Sequence, residues 1–132
     1  MKFKLVSIIL LVGLISSGFT CSHKAAITSR GVAASLVALQ DSEIALHDQK
    51  EITDQEHMVI QEGFIAIAQA GIQVNRCIGA GTGAVCVDSG IAAVQTFINS
   101  PVAGIKNPAS KAEITLAAQA LITSLTVLKG AL

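Results

Sequence analysis

Apolar positions in this chain recur at helical spacing and divide it into four segments. Val32, Leu36, Leu39 and Leu46 share one face of a helix predicted to begin at Ser29, with Val37 and Ile44 flanking it. The polar run at 47–52 (HDQKEI) breaks that repeat. Thr53 and Glu56 then have the spacing of a capping box, in which a hydroxyl and a carboxylate three residues apart satisfy two orphan amides at a helix start. The second helix follows, with Ile60, Phe64, Ile67, Gly71, Val74 and Ile78 stepping by four and three along one stripe. Gly63 and Gly71 each cost this helix on the order of 1 kcal/mol relative to Ala, which predicts close approach by a neighbouring helix.

Three glycines within residues 79–83 (GAGTG) end that helix. A third is predicted over Ser89–Ile98, with Asp88 or Ser89 as its cap and Val87, Ile91, Val94 and Ile98 facing inward. Asn99, Ser100 and Pro101 stop it, and Pro108 marks the next helix start. Ser110 with Glu113 repeats the capping-box spacing, and Ile114, Ala118, Leu121, Leu125 and Leu128 form the last inner stripe. No strand is needed. The predicted class is all-α, a small antiparallel bundle of about four helices over residues 29–132.

Composition narrows what such a bundle does. Apolar residues make up 52% of the chain and charged residues 14%, with no Trp or Tyr and four Phe, so aliphatic packing must carry the core. Without Lys2 and Lys4, the chain carries 7 basic against 9 acidic residues. It therefore lacks both the basic patch that neutralises phosphates and the aromatic platforms on which bases stack, and nucleic acid is not an expected partner.

The first twenty residues have a different character. Lys2 and Lys4 precede an apolar run of 11 residues, Leu5–Ile15, which suits a secretory signal at 1–20 and is short for a bilayer span. Gly18, Phe19, Thr20, Cys21 and Ser22 resemble the lipobox of bacterial lipoproteins. That resemblance implies lipidation of Cys21, which would become the mature N-terminus of a membrane-anchored protein facing the periplasm or the outside. Gly18 stands where the family prefers Leu, and Thr20 where it prefers Gly, Ala or Ser. Ordinary cleavage after Gly18 is the alternative, and it would leave a soluble periplasmic or secreted protein. Three cysteines are an odd number, and in an oxidising compartment lipidation of Cys21 would leave Cys77 and Cys86 to pair as a structural disulfide. Residues 21–28 are read as a tether.

Candidate chemistry is sparse. Gly79, Gly81 and Gly83 follow a helix, whereas a phosphate-binding fingerprint follows a strand and opens a helix. Seven of the nine acidic residues lie between Asp41 and Glu62, together with His47 and His57. Glu43 and His47 at i,i+4, and Asp54 and His57 at i,i+3, form a candidate weak cation-binding tip or a docking point for a basic partner, set against the plain reading of a solvated surface. The paired Glu-x-x-His motifs of di-metal bundles are missing, so no metal or other cofactor is expected. No nucleophile motif or second carboxylate cluster points to an enzyme.

Ile114–Leu128 holds 15 residues without a charge, but Thr115, Gln119, Thr123 and Thr126 give it a mild polar stripe, which favours packing in a bundle over spanning. Its outer face, poor in charge, suits a protein partner or self-association. The expected function is a non-enzymatic, lipid-anchored envelope protein acting as a structural or interaction module. A membrane-active, holin-like or bacteriocin-like helical protein and a weak cation-binding bundle are the alternatives.

Overall fold

The computed structural model describes residues 23–132. They form four helices: α1 (His23–Asp48), α2 (Asp54–Gly79), α3 (Gly83–Asn99) and α4 (Pro108–Ala131). A single 3-10 turn, Val102–Gly104, joins α3 to α4, and there is no strand among the described residues. The expected export signal at 1–20 and Cys21 lie outside this range.

Contacts at the two ends fix the helix directions. At one end the α1–α2 turn meets the α3–α4 connection, where Asn107 Nδ2 donates to Glu51 Oε2 over 2.6 Å and the Lys106 amide donates to Glu56 Oε1 over 2.8 Å. At the other end Lys129 Nζ of α4 donates to both carboxylate oxygens of Asp88 on α3 at 2.7 Å. The helices therefore alternate in direction, and the molecule is an antiparallel helical bundle. α1 lies along α4, α2 along α3 and α3 along α4, whereas α1 and α2 approach each other much less closely.

The core is the aliphatic one that composition demands. Leu39, Ile60, Val87, Val94, Ile114 and Ala118 are wholly buried, and every member of the predicted α4 stripe is buried with them. On α2 the predicted stripe is buried at Ile60, Phe64, Ile67, Val74 and Ile78. The steps of four and three put these residues on helix seams that interlock around a common axis.

Both α1–α2 and α2–α3 turns end their first helix in the same way. In the α2–α3 turn, Gly81 has a φ of 79°, its amide donates to the Ile78 carbonyl at 3.1 Å, and the Thr82 amide reaches back to Cys77 at 2.9 Å. This is a Schellman cap with glycine in the left-handed position. In the α1–α2 turn Lys50 occupies that position with a φ of 60°, its amide bonded to His47 at 3.0 Å and the Glu51 amide to Leu46 at 2.9 Å. Ile52, 3% exposed, then plugs the core beneath the turn. The capping box predicted for α2 is present: the Thr53 amide donates to Glu56 Oε2 at 2.7 Å, and the Glu56 amide to Thr53 Oγ1 at 3.2 Å.

Two helix starts and the cap of α4 differ from expectation. Helix α1 begins at His23 rather than Ser29, so residues 23–28 of the expected tether are helical; Ala25 and Ala26 are strong helix formers and no Gly or Pro interrupts them. Helix α3 begins at Gly83 rather than Ser89, because the three residues Ala80–Thr82 suffice to reverse the chain. Its cap is Thr82, without a side-chain hydrogen bond, and not Asp88 or Ser89. Its inner face is Gly83, Val87, Gly90, Val94 and Phe97, leaving the predicted Ile91 and Ile98 half-buried at the flanks. Finally, α4 is capped by Asn107, whose Oδ1 accepts from the amides of Ala109 and Ser110 at 3.0 and 3.3 Å. Pro108, lacking an amide hydrogen, takes the first helical position, which moves Ser110 into the buried seam at 2% exposure and removes it from any capping box.

Gly63 marks a close helix approach, as its cost predicted. A Cβ built there would lie 2.6 Å from Phe97 Cδ2 and 3.1 Å from Pro101 Cγ. The Phe97 ring occupies that space and stacks on Phe64 with centroids 5.2 Å apart. At the opposite end of α2 the Cys77–Cys86 disulfide ties its last turn to the start of α3, with Cα atoms 6.2 Å apart. Closing so short a loop stabilises the fold by roughly 2.5 to 3 kcal/mol in the chain-entropy model.

Candidate functional site

Four residues singled out in the acidic stretch come together at the α1–α2 end of the bundle. Glu43 and His47 lie one turn apart on α1, Asp54 and His57 one turn apart at the start of α2, and the Schellman turn at Lys50 brings the two pairs face to face. His57 Nδ1 and Glu43 Oε1 share a hydrogen bond of 2.5 Å, and Gln61 Nε2, one turn further along α2, donates to Glu43 Oε2 at 2.7 Å. His47 Nε2 lies 2.8 Å from Asp54 Oδ1. The two imidazoles stack on one another, with ring centroids 4.0 Å apart and planes within 11° of parallel.

The two carboxylates occupy opposite environments. Asp54 is almost fully in water, with its side chain 98% exposed, whereas Glu43 is 0% exposed. Burial pushes the Glu43 carboxyl above its ordinary value of 4.5, and the hydrogen bonds and charges of His57, with Gln61 and the more distant His47, oppose that rise. Glu56 nearby behaves in the opposite way: the Thr53 amide, and after it the Lys106 amide, hold its carboxyl below 4.5. Among the described residues no buried side-chain nitrogen or oxygen is left without a partner.

This arrangement pairs each carboxylate with an imidazole instead of pointing several ligands at a common centre. Among the described residues no three His, Cys, Asp or Glu side chains are placed to hold a metal ion. What the cluster can do is bind and release protons while holding α1 to α2.

The four residues share one tip as their spacing predicts, and the stretch is the expected solvated surface at Asp41, Asp48, Glu51, Asp54 and Glu62 but not at Glu43. A signal for that was present: Glu43 falls in the α1 core register, after Leu36 and Leu39 and before Leu46, at steps of three, four and three. Gln61 was missed altogether, although it lies one turn beyond His57 on the same face.

A second feature is the outer surface of α4. Its most apolar 18-residue window has a mean hydropathy of 1.4, enough by length and composition to cross a membrane, although its inner stripe forms part of the bundle core. Leu116 and Val127 stand exposed at 66% and 55% on a face without charge between Glu113 and Lys129. At the edge of the seam with α1, Ser124 Oγ meets Ser35 Oγ at 2.7 Å, a half-buried polar contact between the two helices.

Fold and site together define a disulfide-stapled, antiparallel helical bundle with a buried carboxylate–imidazole cluster at one end. The chain matches no protein-family model, no curated protein and no solved structure.

Proposed function

We propose that this is a small exported envelope protein, anchored in a membrane by lipid on Cys21, whose helical bundle serves as a non-enzymatic structural or interaction module. The observation that carries the reading is the cysteine that follows a charged start, an 11-residue apolar run and the short segment 16–20, the order found in a lipoprotein export signal. Two features lend support. The Cys77–Cys86 pairing accounts for two of the three cysteines and fits an oxidising compartment. The uncharged outer face of α4, with Leu116 and Val127 exposed, suits contact with another protein.

Fractionation of cells expressing the wild-type chain and Cys21→Ser tests the anchor. Wild-type protein is expected in the membrane fraction, resisting high salt and released by detergent, and the variant is expected to lose that association. Equal membrane association of both, or a wild-type protein free in the soluble fraction, would sink the proposal.

A further inference from the structure

Three features bear on the acidic end at once: a carboxylate with no exposure, two imidazoles in face-to-face contact, and a pair of helices that otherwise keep apart. Hydrogen bonds of His57 and Gln61 with Glu43, and of His47 with Asp54, join α1 to α2 at this point.

We propose that the Glu43–His57–His47–Asp54 cluster is a proton-operated latch between α1 and α2, closed while the Glu43–His57 pair carries an added proton and loosened when that proton leaves to solvent. With both imidazoles neutral, the buried Glu43 carboxylate has two hydrogen bonds and no cation against it, a costly state for a charge removed from water. One proton added to the pair cancels that charge without moving a heavy atom. A second proton, on His47, places two cations 4.0 Å apart, and only the exposed Asp54 offsets their repulsion.

The surrounding charges leave this chemistry to the cluster. On the α1–α2 turn and the start of α2, Glu51 is engaged by Asn107, and Glu56 by the amides of Thr53 and Lys106. Lys111 and Glu113 of α4 lie at the same end and make no ion pair with the cluster, and Asp41, Asp48 and Lys50 are exposed. Burial favours the protonated Glu43 carboxyl in the folded chain, so the folded state binds more protons than the unfolded one above pH 4.5. Stability accordingly falls as pH rises through the folded value, the reverse of ordinary acid denaturation.

Amide hydrogen exchange of α1, compared between the full-length wild-type chain and Glu43→Gln at the same pH, reads the latch directly, because the intrinsic exchange rates then cancel. At pH 4, below the ordinary carboxyl value of 4.5, the α1 amides from Leu36 to Leu46 are expected to exchange alike in both. At pH 8 they are expected to exchange faster in the wild type than in the variant, because the closed form then holds a buried carboxylate that the variant lacks. An equal ratio at both pH values would overturn the proposal. Imidazole titration of the wild type by NMR keeps the test open if the variant does not fold. The latch requires each of His47 and His57 to sense the other's protonation, and two independent single-step titrations would contradict it.

Discussion

Lys50 is the residue whose conformation costs the fold most visibly. Its φ of 60° is the left-handed region, which an L side chain adopts at a cost of about 1 kcal/mol, and it does so because the Schellman turn that ends α1 needs that geometry. The equivalent position after α2 is Gly81, which pays no such cost. Lys50→Gly is expected to raise the unfolding free energy by about 0.5 to 1 kcal/mol in urea titration, and a loss of stability would contradict this account of the turn. Nothing in residues 47–52 announces the turn type, since neither Gly nor Asn is present, so only the break in the apolar repeat was legible there. Glu43 is the opposite case. Its position in the α1 stripe was readable, but a carboxylate in a polar-rich stretch reads as surface until the partners that satisfy it, His57 and Gln61 on the next helix, are in view.

At the scale of elements, the apolar periods located α2 and α4 and most of their buried faces, because a stripe about four or five turns long leaves one direction in which to pack. Helix α3 was harder to read. Its face runs through Gly83 and Gly90, residues that carry no hydrophobic signal, and the space they leave is filled from α2 and α4: a Cβ on Gly90 would sit 3.3 Å from Val74 Cγ2. Gly63 has the same logic with a more rigid neighbour, the Phe97 ring. Gly63→Ala is expected to destabilise the protein by about 1 to 3 kcal/mol despite its better helix propensity, because the ring and Pro101 must both move. Gly31→Ala, in open space on α1, is expected to stabilise by up to about 1 kcal/mol. Chemical denaturation of the two variants side by side checks the account, and equal effects from both would contradict close packing of α2 on α3.

For the whole molecule, the two ends of the bundle are built differently. One is closed covalently by Cys77–Cys86 and by the Asp88–Lys129 pair, and the other by the carboxylate–imidazole cluster and the hydrogen bonds of Glu51 and Glu56 to the α3–α4 connection. The disulfide ties α2 to α3 covalently, whereas the proposed latch makes the other end sensitive to protons, so any movement of the bundle is expected to begin where α1 meets α2. The all-α class and the antiparallel arrangement were legible because loops are short and every segment carries a helical period. The role was less so, since no residue set announces a reaction and the reading rests on how the chain begins. The mass of the mature N-terminal peptide, from protein recovered from the membranes of its own host, therefore tests the central claim most directly. The account predicts a peptide that starts at a lipid-modified Cys21; an unmodified peptide starting at Phe19 would contradict it.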